Sequence, residues 1–212
     1  MIYQTDKICK DVRIAIDENM TSESLTALLD VETLSLDTVI KSKIEEGVTR
    51  VHSIAPLLML DSGHNFGDSL YWNGQDTCGW VLLPDDFMRL VVFQMDDWER
   101  AVYDPLSVEN PISDKQYSRF KGIRGNTQRP RCVLAIRPEG RVLEFYSCKT
   151  QTAQVSRAVY IPYPKIDEHG GINICKHCYP AVIYSIASLV VSAYGEAEKS
   201  KLFGNLAESL LT

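Results

Sequence analysis

The sequence predicts an α+β fold: a helical bundle built from both chain ends, with an antiparallel β-rich domain inserted between them. Three observations carry that prediction. Residues 1–65 place apolar side chains at helical spacing, and residues 166–212 do so again. Residues 66–165 instead hold short apolar runs separated by Gly, Pro, Asn and Asp. Helices grouped around a block of strands indicate segregated layers, not an alternating parallel α/β sheet. The domain boundaries follow as 1–65, 66–165 and 166–212, the outer two sharing one bundle. A chain of 212 residues suffices for cores of this kind.

Taken in order, Ile8, Val12, Ala15 and Ile16 form the apolar stripe of a short helix over Ile8–Glu18. Asn19-Met20-Thr21-Ser22 interrupts it, and Thr21 or Ser22 can cap a second short helix carrying Leu25, Leu28 and Leu29. Ser35 is the N-cap of a longer helix, with Leu36, Val39, Ile40, Ile44, Val48, Val51, Ile54 and Ala55 on its apolar face; Pro56 ends it.

Asp61–Gly79 is rich in turn formers and holds a short strand at Leu70-Tyr71-Trp72 followed by an Asn73-Gly74 turn. The stretch GWVLLPDDFMRLVVFQMDDWERAV, Gly79 to Val102, has the apolar content of core. Trp80 to Leu83 reads as a strand stopped by Pro84, and Pro84-Asp85-Asp86-Phe87 as a tight turn. Trp80, Leu82, Phe87, Leu90 and Trp98 are the expected core of the inserted domain.

Asp104–Lys121 is irregular around Pro105 and Pro111, with a short ordered patch at Gln116–Phe120. Cys132–Ile136 and Val142–Tyr146 form a hairpin with Gly140 in its turn, Ala158–Ile161 adds a strand, and Pro162-Tyr163-Pro164 closes the β region. After Gly170-Gly171, a helix begins at Pro180, where a missing N–H costs nothing. Its small residues Ala187, Ser188, Ser192 and Ala193 permit close approach of another helix. Gly195 separates it from a final helix over Glu196–Leu211.

Composition narrows the function classes. A formal charge of −6 and a pI near 5.3 argue against a surface that grips nucleic acid by neutralising phosphates. The first residues lack the basic and apolar regions of a signal peptide, and the apolar run at Ala181–Ala193 is too short and too polar to span a bilayer. A soluble chain made in a cytoplasm is expected, its six cysteines reduced. Cys175-Lys176-His177-Cys178 has metal-ligand spacing, but a closed zinc site needs four ligands and only one such knuckle is present. Cys178 and His177 are neighbours whose side chains diverge on a helix, a poor nucleophile–base pair. Asp85-Asp86 and Asp96-Asp97 read as turn formers. No phosphate-binding or dinucleotide fingerprint occurs. The loop KGIRGNTQRP is locally basic through Lys121, Arg124, Arg129 and Arg131.

The order of GWVLLPDDFMRLVVFQMDDWERAV, QYSRFKGIRGNTQRP, CVLAI, LEFYS and CYPAVIYSIASLVVSAYGEAEKSKLF, from about Trp80 to Leu211, resembles head–tail connector (adaptor, or ring) proteins of tailed double-stranded DNA phages with short tails. In such proteins an LPxDF turn leads to a WxRxV strand, then to a basic RGN loop, a β-hairpin and an alanine-rich helix pair. The resemblance implies a structural virion protein, not an enzyme, without cofactor. It implies a ring, commonly a dodecamer, docked below the portal protein, extending the DNA channel and attaching further connector or tail proteins. Genomic DNA would make only passing contact, no membrane is involved, and assembly takes place in the host bacterial cytoplasm. Lys121, Arg124, Asn126, Arg129 and Arg131 become the candidate contact with a neighbouring subunit. The alternatives are a cellular metal-binding interaction module using Cys175 and Cys178, or a small cysteine-dependent hydrolase.

Overall fold

The computed structural model describes residues 1–19, 35–61, 63–74, 76–118, 120, 122–146 and 148–212, without the side chains of Glu18 and Asn19. The short helix expected at Leu25, Leu28 and Leu29, with its cap at Thr21 or Ser22, lies outside the described residues, as does Lys121. In chain order the elements begin with β1 (Ile2–Gln4), α1 (Thr5–Asn19), α2 (Leu36–Ile54), β2 (His64–Asn65), β3 (Leu70–Trp72), β4 (Gly79–Leu82) and β5 (Phe87–Met95). They continue with β6 (Leu106–Ser107), β7 (Cys132–Arg137), β8 (Gly140–Phe145), β9 (Val155–Pro162), β10 (Gly171–Asn173), α3 (Tyr179–Ala193) and α4 (Ala197–Ser209). The protein is thus mixed α+β, with four helices among the described residues and every strand pair antiparallel except β6–β7. It divides into two compact units, Met1–Asp61 with Pro164–Thr212, and Ser62–Tyr163.

In the unit that holds both chain ends, local signals set the helix boundaries. The Ser35 hydroxyl accepts the Thr38 amide at 3.3 Å and caps α2, which stops one residue before Ala55-Pro56. Ile8, Val12 and Ile16 of α1 meet Ile40, Ile44 and Val48 of α2, Val182, Ile186 and Val190 of α3, and Phe203 of α4 in one core. Helices α2 and α3 approach closely at Gly47, where a Cβ would lie 2.4 Å from Ile186 Cγ1. Helices α3 and α4 are joined where Ser188 Oγ donates to the Ser200 carbonyl at 2.7 Å. Of the small residues expected to permit such approaches, Ala187 is buried and Ser188 bonds to α4, but Ser192 and Ala193 are exposed. A two-stranded sheet, β1 with β10, pairs Ile2 with Asn173 and Gln4 with Gly171. No helix among the described residues is long and apolar enough to cross a membrane.

The β-rich unit contains a three-stranded sheet, β2-β9-β5, and a five-stranded sheet, β3-β4-β8-β7-β6. Side chains from both sheets share one core: Phe87, Leu90, Phe93, Ala158 and Tyr160 from the first, Val81, Cys132, Leu143 and Phe145 from the second. The turn after Pro84 forms as the sequence predicts, with the Phe87 amide donating to the Pro84 carbonyl at 3.0 Å. The strand expected at Trp98–Val102 does not. Asp96 to Arg100 turns, and only Val102 rejoins, through a single bridge to Phe93 with both bonds at 2.8 Å. Asp96 and Asp97 explain this: they accept the amides of Gln154 and Lys149, which holds the turn in place of a ladder.

Candidate interface on the β-rich unit

Three of the five residues expected in the core of the insert are there. Phe87, Leu90 and Trp98 are buried, and the Trp98 ring stands edge-on to both Phe93 and Phe145, at centroid distances of 5.8 and 6.4 Å. Trp80 and Leu82 are half-buried instead. They project from the face of β4 opposite to Val81, which fills the core in their place. Four consecutive apolar residues give no alternation from which the inward face can be read; pairing of β4 with β8 decides it.

The outward face that Trp80 occupies carries a polar cluster unforeseen in the sequence. Glu144, buried in β8, accepts Arg137 Nε at 2.7 Å, the Tyr117 hydroxyl at 3.0 Å and the Tyr146 hydroxyl at 2.5 Å. Burial and the neighbouring Glu144 carboxylate both push the Tyr146 and Tyr117 phenols above their ordinary range. The Arg137 guanidinium lies over the Trp80 ring, 3.9 Å from its centroid, and Tyr71 stacks on Trp80 at 5.8 Å. Trp80, Tyr117, Arg137, Glu144 and Tyr146 line a pocket of about 100 Å³ together with Asp76, Gln116 and Arg124. The signal was an acid inside the apolar run Val142-Leu143-Glu144-Phe145-Tyr146, where a charge requires partners.

The basic loop divides into two kinds of arginine. Arg124, expected at a subunit contact, is only 8% exposed and holds Asp76 with two 3.0 Å bonds, Nη1 to Oδ2 and Nη2 to Oδ1. Its role is internal, because Asp76 and the Gly125 backbone, held by Gln116 Oε1 at 2.8 Å, bring the guanidinium inward. Arg129 and Arg131 are exposed, and Asn126 is half-buried. Asn126 shapes the loop: its side chain accepts the amides of Gln128 and Arg129 at 3.0 and 2.9 Å, and its backbone pairs with Arg129 in both directions. Arg124→Ala should therefore lower stability by about 1.5–3 kcal/mol, the usual worth of hydrogen bonds to charged groups. Arg129→Ala should stay within about 0.5 kcal/mol of the parent. Urea denaturation followed by tryptophan fluorescence reads this unit alone, since Trp72, Trp80 and Trp98 all lie in it. Equal losses in the two variants would contradict the division.

In the other unit, Cys175 and Cys178 precede α3, and both thiols face the Met59 carbonyl. Burial, then the Cys175 thiol, pushes Cys178 up to about 12, the reverse of what a nucleophilic thiolate needs. His177 is exposed while Cys178 is buried, so the two diverge. Among the described residues no three His, Cys, Asp or Glu side chains are placed to hold a metal ion. His52 is the buried histidine here; its Nε2 accepts the Cys175 amide at 3.5 Å, and burial lowers its pKa from 6.5 to about 4, against a smaller opposing pull from Asp61. The folded chain keeps His52 neutral where the unfolded chain protonates it. Its contribution is therefore fully present above pH 6.5 and is lost as pH falls towards 4. Circular dichroism melts across that range should show a decline that His52→Gln reduces; parallel curves for the two proteins would refute the assignment.

No protein-family model matches the chain, and no curated protein matches it.

Proposed function

We propose that the chain is a structural subunit of a phage head–tail connector, a helical bundle formed by both chain ends and carrying an inserted β-rich domain. The subunit docks below the portal protein as a homo-oligomeric ring, extends the DNA channel and receives further connector or tail proteins. The ordered series of motifs from Trp80 to Leu211 motivates the reading, and the two compact units, one containing both chain ends, are compatible with it.

The observation that carries it is the composition of one outward segment of the β-rich unit. Tyr103, Tyr117, Phe120 and Ile123 are exposed there, together with Arg100, Arg129 and Arg131. Aromatic residues and arginine are the types enriched where proteins meet. A ring requires such a surface to meet a different surface of the next copy.

The test is co-expression with the portal protein encoded in the same genome, followed by electron microscopy of the purified particle. An added ring coaxial with the portal is expected. A chain that stays monomeric and leaves the portal bare would overturn the proposal.

A further inference from the structure

A cleft of about 410 Å³ opens on the β-rich unit between Arg100–Asp104 and Gln128–Arg131. Three arginines line it, Arg100, Arg129 and Arg131, against one acid, Asp104. All three arginines are exposed, and none forms an ion pair among the described residues. Tyr103, 57% exposed, adds an apolar wall. Both walls are anchored. Val102 is fixed to Phe93, the Glu99 amide donates to the Thr127 carbonyl at 2.9 Å, and the Asn126–Arg129 turn is closed in both directions. The guanidinium groups therefore project from a backbone already ordered, which lowers the entropy lost when they engage a partner.

The distribution of charge identifies that partner. The whole formal charge of −6 falls in the unit formed by both chain ends, while acids and bases balance in the β-rich unit. Within the acidic unit, residues 14–36 contain Asp17, Glu18, Glu23, Asp30 and Glu32 and neither Lys nor Arg, while Asp37 is held by Arg13 Nε at 2.7 Å. Leu25, Leu28 and Leu29 lie among those acids. We infer that the arginine cleft seats this acidic, leucine-bearing segment of a neighbouring copy of the chain, carboxylates on Arg100, Arg129 and Arg131 and apolar side chains on Tyr103. Such a contact is heterologous, as a ring requires, and the inference rests on the ring reading for the presence of that neighbour. A nucleic acid is the less favoured occupant, because Asp104 stands in the cleft and the chain as a whole is acidic.

A synthetic peptide covering residues 17–36, titrated into the full-length protein and followed by fluorescence anisotropy, tests the contact. Binding is expected, weakened by added salt and at least about tenfold weaker for the R129E/R131E variant. A peptide with its acids replaced by Asn and Gln should bind at least about tenfold more weakly to the parent protein, a readout that does not depend on the folding of any variant. No binding, or binding indifferent to both changes, overturns the inference. Tighter arginine-dependent binding of a mixed-sequence oligonucleotide overturns it in favour of nucleic acid. Electron microscopy with the portal separates this from the ring reading: a ring formed equally well by R129E/R131E retains the connector and rejects the cleft contact. Peptide binding by a chain that never joins the portal retains the cleft's chemistry and rejects the connector.

Discussion

Replacing Trp98 with Ala is expected to destabilise the β-rich unit by about 3–5 kcal/mol, the usual range for truncating a large buried aromatic. Trp98 is 4% exposed and sits outside both sheets, on the turn between β5 and Val102, yet its ring reaches Phe93 of one sheet and Phe145 of the other. Removing it deletes the edge-on aromatic contacts and leaves a void that strands fixed by ladder bonds cannot collapse to fill. The turn itself should survive, because Asp96 and Asp97 hold it through Gln154 and Lys149. Urea midpoints read by the remaining tryptophans measure the loss. Trp98→Phe should recover part of it, and a Trp98→Ala change below about 1 kcal/mol would show that the sheets do not depend on this ring.

The second large effect is expected at Glu144. Glu144→Ala leaves Arg137 and two tyrosine hydroxyls without their shared acceptor, at a cost of about 3 kcal/mol. That is the lower end of the range for breaking a buried pair, because the Arg137 side chain keeps 29% of its exposure and its contact with Trp80. In a double-mutant cycle, Arg137→Met combined with Glu144→Leu should cost less than the sum of the single changes, since neither charge is then left alone. Strict additivity would mean that the two residues stabilise the sheet independently. Neither variant touches Arg129 or Arg131, so stability and ring formation can be followed separately.

Much of the local structure was legible because its causes are local. Ser35 and Pro56 bound α2, Pro84 ends the strand before the turn, and Gly140 supplies the positive φ of 131° at the β7–β8 hairpin. The pairing of β1 with β10 was not legible. Its strands are three residues each and join positions at opposite ends of the sequence, too short for a periodic signal. The parallel pair β6–β7 escaped for the same reason, two residues carrying no period.

For the candidate interface the division has a single physical origin. The sequence alone determined that the loop before β7 is basic, that apolar residues fill the stretch from Gly79 to Val102, and that acids dominate residues 14–36. Residue type fixes charge and hydrophobicity, and chain order fixes their density. Only the tertiary structure decided which of these groups remain available. Arg124 is withdrawn by Asp76, forty-eight positions away, while Arg129 and Arg131 stay outside. Trp80 is turned outward and Val81 inward by the pairing of β4 with β8. Glu144 becomes a buried anchor because Tyr117, Arg137 and Tyr146 converge on it. Partnership between side chains depends on long-range pairing, which no local property of the chain encodes.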